Sequence, residues 1–119
     1  MKHLCTALIF GFLFTLPAYS ETSIEQLLSE QDVAVFTQGS AIYNKHCMAC
    51  HAASNIMVAS PKFGNRKDWG ARLADNKTLK ATVKSATKGK GAMPPKGLCV
   101  ECKSKDLEAA ILYMMKGEN

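Results

Sequence analysis

The sequence predicts an all-α domain whose helices are joined by substantial loops, and three observations carry that expectation. Leu107, Ala110, Ile111 and Met114 fall at i, i+3, i+4 and i+7, on one face of a helix near the carboxyl end. A second helical segment, carrying Gly39, Ile42 and Tyr43, leads into a cysteine-rich stretch. Nothing in between reads as a sheet.

Taken in order, the chain opens with MKHLCTALIFGFLFTLPAYS. Lys2 and His3 make a basic start, residues 4–16 are apolar but short for a membrane span, and Pro17 breaks the run. Ala18-Tyr19-Ser20 is a small-x-small cleavage site, so residues 1–20 read as a secretory signal peptide; an uncleaved membrane anchor is the alternative. Cys5 lies before the apolar run rather than at the cleavage site, which argues against a lipoprotein. Ser23-Ile24-Glu25-Gln26 is a capping-box pattern and predicts a short helix over residues 24–30. The helix leading to the cysteines is capped by Asp32 or Thr37 and ends near Cys47. Residues 69–73 and 78–86 read as further helical pieces, the second with Leu79 and Val83 inward. Gly, Pro and Lys make residues 88–97 an extended loop. Ser104 is the expected N-cap of the last helix, with Asp106 and Glu108 in its first turn and Lys116-Gly117 closing it.

Of 119 residues, removal of 20 leaves 99, enough for one domain. The expected division is a signal peptide (1–20), an extension without an assigned role (21–36) and one folded domain (37–119). So small a domain buries a limited core, and a disulfide, metal or cofactor is a natural supplement. Export places the four remaining cysteines in an oxidising compartment, the periplasm. The formal charge of +5 loses Lys2, giving +4, and no basic cluster interleaved with aromatics suggests a nucleic-acid partner.

The chemistry concentrates in NKHCMACHAAS. Cys47 and Cys50 flank two residues and His51 follows directly, the attachment sequence for c-type haem. Two thiols so spaced on a helical turn reach neighbouring haem vinyl groups, and the adjacent imidazole can ligate the iron. Three rivals stand beside this reading. A thioredoxin-like dithiol needs a βαβ context that is missing. A zinc site of Cys47, Cys50, Cys99 and Cys102 has acceptable pair spacing but does not require His51. One or two structural disulfides are the plainest alternative.

Haem iron has a sixth position, and its occupant decides between electron transfer and ligand chemistry. His46, Met48 and Met57 are tied too closely to the attachment turn to reach the far face. Met114 and Met115 belong to the last helix, where methionine commonly fills core space. Met93 in GKGAMPPKG sits on a loop loosened by Gly89 and Gly91 and stiffened by Pro94 and Pro95. Met93 is the expected ligand, with ordinary loop packing as its alternative.

YNKHCMACH, SPKFG, Asp68-Trp69 with a following Arg72, AMPPKG, CVEC and LEAAILYMM together resemble a class I cytochrome c, specifically the small bacterial c5-type cytochromes. The resemblance spans about residues 37–115 and leaves 21–36 uncovered. It implies that the helix bearing Gly39 and Tyr43 crosses the terminal helix bearing Tyr113, and that one haem c is bound covalently through Cys47 and Cys50. It implies that the Pro61 carbonyl accepts the Nδ1–H of His51, and that Trp69 and Arg72 stand where a side chain could hydrogen-bond a propionate. For Trp69 plain core packing, and for Arg72 a solvated surface charge, are equal alternatives. It also implies a Cys99–Cys102 disulfide, for which a regulatory dithiol is the alternative; Lys103 stands where a second haem site would need histidine.

With His51 and Met93 both bound, the iron offers no open site, so the expected function is a periplasmic electron carrier of the respiratory chain rather than an enzyme. A haem peroxidase or ligand sensor, if Met93 is unbound, and a zinc- or disulfide-stabilised module, if no haem is attached, are the alternatives. Lys45, Lys88, Lys90 and Lys96 are expected around the haem edge, where they would steer acidic redox partners; a scattered solvated face is the competing reading. Membrane association is expected to be at most peripheral, with respiratory complexes.

Overall fold

The computed structural model describes residues 23–118. The expected signal peptide and Cys5 lie outside the described residues. Six α-helices follow in order: α1 (Ile24–Ser29), α2 (Val33–Ile42), α3 (Met48–His51), α4 (Arg66–Asn76), α5 (Leu79–Lys88) and α6 (Ser104–Lys116). A π turn (Tyr43–Cys47) joins α2 to α3, and a 3₁₀ turn (Pro95–Leu98) precedes α6. Among the described residues the only β pairing is one antiparallel bridge, Lys90 with Met93. The all-α class is therefore as expected.

The crossing of α2 and α6 organises the molecule. A Cβ built on Gly39 would meet the Ala109 carbonyl carbon at 2.7 Å and Tyr113 Cβ at 2.8 Å, so only glycine lets the two backbones approach this far. Tyr43, Phe63 and Tyr113 close the crossing as a three-ring cluster with centroids 4.9, 5.2 and 5.6 Å apart. Such pairs contribute about 0.5–1.5 kcal/mol each beyond the area they bury. The two tyrosines are where the sequence puts them, and Phe63 joins them.

Helix α6 is more central than one apolar stripe suggests. Leu107, Ala109, Ala110, Ile111, Leu112, Met114 and Met115 are all buried, because α1, α2, α4 and α5 pack around it. Its N-cap is Lys103, not Ser104: the Asp106 carboxylate accepts the Lys103 backbone N–H at 2.7 Å, and Ser104 is already the first helical residue. Gly117 ends it in the left-handed region, φ 71°. A Cβ on Gly117 would come within 2.7 Å of Gly64 Cα, and the Gly64 N–H donates to the Met114 carbonyl at 2.8 Å. The loop after α3 is thereby fastened to the end of α6.

The amino-terminal extension packs onto the domain. Ser23 Oγ caps α1 by accepting the Gln26 N–H at 3.2 Å, Ile24 is buried in the common core, and Glu25 pairs with Arg66 at 2.6 Å. Asp32, rather than Thr37, is the N-cap of α2. A boundary between residues 36 and 37 falls inside that helix. Helix α4 is longer than the expected piece: Asn65 caps it through its side chain, and Lys77 stops it in the left-handed region at φ 73°.

Candidate functional site

The attachment turn is continuous with α2. At the π turn the Met48 N–H donates to the Tyr43 carbonyl, five residues back, which inserts one residue into the helical run before α3. The sequence places the end of this helix near Cys47, whereas the helical path runs through His51. Cys47 closes that turn, and Cys50 and His51 follow on α3.

Those three residues open onto a cavity of about 270 Å³. Its deep wall is apolar, and it is made by the stripe of α6: Leu107, Ala110, Ile111 and Met114 all line it, as does the buried ring of Trp69. The residues that look like ordinary core in the sequence are the wall of the site. Met93 lines the cavity from the loop between α5 and the 3₁₀ turn, joined by Pro94 and Gly97. At the mouth stand Ala49, Cys50, Lys90, Ala92 and Leu98, all exposed.

The Met93 loop is shaped by backbone requirements. Lys90 and Met93 exchange both backbone hydrogen bonds at 3.0 Å around Gly91, whose φ is +59°. Gly89, at φ +82°, lies so close to Met93, Pro94 and Pro95 that a Cβ would meet the Met93 carbonyl oxygen at 2.7 Å. The loop is a short hairpin followed by a turn rather than the extended segment expected. Met57 is 87 % exposed and does not line the cavity, so of the methionines set aside in favour of Met93 only Met114 reaches it, as part of the α6 wall.

His51 is buried, and its Nδ1 lies 2.7 Å from the Pro61 carbonyl. A carbonyl only accepts, so Nδ1 carries the proton and Nε2 keeps its lone pair. Burial holds the imidazole below the usual histidine range; the Pro61 hydrogen bond opposes this, and Lys62 and Arg72 push the same way as burial. Burial also pushes the Cys47 thiol up to about 11, with Cys50 adding to it. A thioredoxin-type nucleophile needs the opposite shift. The four-cysteine zinc reading also fails, because Cys99 and Cys102 are bonded to each other and leave Cys47 and Cys50 as the free pair among the described residues.

For Trp69 the geometry favours the core alternative over the propionate donor. Its single N–H donates to the Lys62 carbonyl at 3.0 Å, and its ring lies nearly parallel to that of His51, centroids 6.0 Å apart. It supplies a wall, having no second donor. Arg72 lines the cavity with its guanidinium 4.0 Å from Asp75, and the side chains of Asn76, Thr82 and Ser85 also line it. Of the expected lysine rim, Lys90 and Lys96 line the cavity; Lys45 instead lies 3.5 Å from Glu101, and Lys88 is exposed at the end of α5.

Lys62 escaped the sequence reading altogether. Its ammonium donates to the carbonyls of Cys50 (3.0 Å) and Val58 (2.7 Å) and to Ser60 Oγ (2.9 Å). Its N–H reaches Asp68 and its carbonyl receives Trp69. Asn55 helps, donating to Ala49 O at 2.7 Å and accepting from the N–H groups of Met57 and Val58. Together they hold the loop that carries Pro61 under the attachment turn.

An apolar cavity, a free Cys-x-x-Cys pair and an imidazole presenting Nε2 fit a covalently held haem. The sequence profile of the cytochrome c oxidase, cbb3-type, subunit III family matches residues 34–114. The chain belongs to the cytochrome c family. The cytochrome is 38 % identical to cytochrome c5 of Ectopseudomonas mendocina over 61 % of its own length and 82 % of that protein. It is 34 % identical to cytochrome c5 of Azotobacter vinelandii, over 61 % and 86 %. Among solved structures it resembles a mono-haem ferrocytochrome c from Shewanella putrefaciens, with 41 % identity, TM-score 0.55, and coverage of 67 % of this chain and 94 % of that one. It also resembles a chain of an electron-transfer complex of nitrite reductase with cytochrome c, with 38 % identity, TM-score 0.54, and coverage of 66 % and 90 %. The cytochrome is a mono-haem electron carrier and not an enzyme. No helix among the described residues is long and apolar enough to cross a membrane.

Proposed function

We propose that the cytochrome carries single electrons in the periplasm between respiratory partners, with haem c bonded to Cys47 and Cys50 and ligated by His51 and Met93. The observation that carries the ligation is the 2.7 Å contact of His51 Nδ1 with the Pro61 carbonyl, which leaves Nε2 as the one nitrogen able to bind a metal. When bound, the haem supplies a one-electron couple, which thioether ligation biases towards the ferrous state.

The protein's own residues do the rest. Pro61 fixes the tautomer and plane of His51, and Lys62 and Asn55 hold the loop that presents Pro61. The α6 stripe and Trp69 exclude water from one side, which keeps reorganisation on electron transfer small. Gly89 and Gly91 set the Met93 hairpin, and the Cys99–Cys102 bond fastens the chain between that hairpin and α6. Arg72, Asn76 and Ser85 provide a polar wall suited to carboxylate groups.

Partners are redox proteins with acidic docking surfaces, met at the mouth where Lys90 and Lys96 stand. A nitrite reductase is one such class, since a relative forms an electron-transfer complex with one. A pyridine haemochrome spectrum tests the haem, and the iron–methionine charge-transfer band of the ferric protein tests Met93. A chain purified from a haem-maturing host without covalent haem would sink the reading.

A further inference from the structure

Beside the haem cavity, with His46 on both, the cleft between α2 and the start of α6 brings together side chains that take no part in holding the haem. It measures about 360 Å³, and His46, Cys99, Glu101, Cys102 and Asp106 are among its lining residues. His46 Nε2 lies 3.5 Å from Glu101 Oε1, and with Cys99 Sγ these ligand atoms fall within 4.8 Å of one another. His46 belongs to the π turn and Glu101 to the loop inside the disulfide, so two separate segments converge.

The geometry points to a redox-gated zinc site: reduction of the Cys99–Cys102 disulfide frees two thiolates that bind one Zn²⁺ together with His46 Nε2 and the Glu101 carboxylate. While the disulfide stands, only the imidazole and the carboxylate remain, too few for a four-coordinate ion. Reduction supplies a Cys-x-x-Cys chelate, a spacing that zinc sites commonly use. The nitrogen–oxygen separation of 3.5 Å is already close to an edge of a tetrahedron with metal–ligand bonds of about 2.0–2.2 Å. Cys99 Sγ already lies within 4.8 Å of both other ligand atoms, and its release from Cys102 frees it to close further. The Cα atoms of the pair are 5.3 Å apart and need not move far.

The reaction balances with a dithiol reductant. Two electrons and two protons pass from the reductant's thiols to the disulfide, which become its disulfide and the two thiols of Cys99 and Cys102. Zinc then displaces the two thiol protons. The metal's two positive charges offset the two new thiolates, so the formal charge beside Lys45 is the same in both states. Cys99 and Cys102 are buried, yet both line the open cleft, which gives a reductant and an ion their route.

The test uses the holoprotein, with ascorbate keeping the iron ferrous in both arms and a phosphine reductant added to one. After removal of excess reagent, each arm is titrated with Zn²⁺ and weighed by native mass spectrometry, and thiol alkylation is followed in parallel. One zinc per chain in the reduced arm, none at the same concentration in the other, and protection of both thiols from alkylation are expected. Glu101→Gln, at an exposed position, and His46→Ala should each weaken binding at least about tenfold, the loss usual even for residues that only orient a metal's ligands. Equal binding in both arms, or binding in the reduced arm indifferent to both substitutions, would overturn the proposal.

Discussion

Gly39 of α2 rests against the backbone of Ala109 in α6, and the space between them admits no side-chain atom. The built Cβ would stand 2.7 Å from the Ala109 carbonyl carbon, with backbone rather than a flexible side chain as the obstacle. Gly39→Ala must therefore push the helices apart and loosen the Tyr43–Phe63–Tyr113 cluster. Overpacking of this kind costs about 1–3 kcal/mol, occasionally more. A loss at the upper end, read as a fall in Tm of roughly 10–20 °C for a domain of this size, is expected by thermal melting of the ferric protein. A fall below about 4 °C, corresponding to less than 1 kcal/mol, would mean the crossing is looser than the geometry requires.

Met93→Ala should keep haem attached through Cys47 and Cys50 while opening the sixth position. Carbon monoxide or azide should then bind readily, the iron–methionine band should vanish, and the reduction potential should fall as thioether ligation is lost. A band that survives the substitution would assign the ligand elsewhere.

Trp69→Phe separates a wall from a propionate donor. The substitution removes the hydrogen bond to the Lys62 carbonyl and leaves that acceptor unpaired, at a cost of about 1–3 kcal/mol. Stability should drop while the absorption spectrum and potential stay near those of the parent. A large shift in potential without loss of stability would restore the propionate contact.

His51→Ala should leave little correctly matured protein, because the chain loses the imidazole that the Pro61 loop is built to hold. Replacing Cys99 and Cys102 by serine should instead give a red, folded protein, less stable by about 2 kcal/mol or under, since the closed loop is short. Equal loss of haem from both variants would contradict the division between attachment and structural pairs.

Electron transfer to an anionic reagent should slow as the Debye length shrinks from about 30 to about 10 Å. Lys90 and Lys96, which line the cavity, should carry most of that dependence when changed to glutamine. Lys45, beside Glu101, and Lys88, outside the lining, should contribute less. Stopped-flow rates across a salt series measure this, and rates indifferent to both salt and the double substitution would leave apolar contact as the docking mode.

What the sequence displayed and what it hid divide along a physical line. The attachment motif and the α6 stripe were legible because each follows from local spacing. The π turn was not: Tyr43–Cys47 has no breaker, and the extra residue is accommodated by tertiary packing. Ser104 looked like the cap because serine favours that position, yet Asp106 reaches back to Lys103 and moves the start by one residue. The bonds of Lys62 join parts of a loop whose path no periodicity encodes. The cleft around His46 and Glu101 was hidden for a similar reason, since its members lie 55 positions apart in the chain.

The α6 wall has a consequence for the order of assembly. The Cys47–Cys50–His51 turn and residues 107–114, the deep wall of the cavity, come from separate parts of the chain and meet only when α6 packs. A chain whose last helix has not yet docked would therefore offer both thiols from an open trough, with no wall to bar a bulky planar group from sliding in sideways. With haem fastened there, its apolar face would be the surface on which Leu107, Ala110, Ile111 and Met114 settle, and the final helix would close over cargo already loaded.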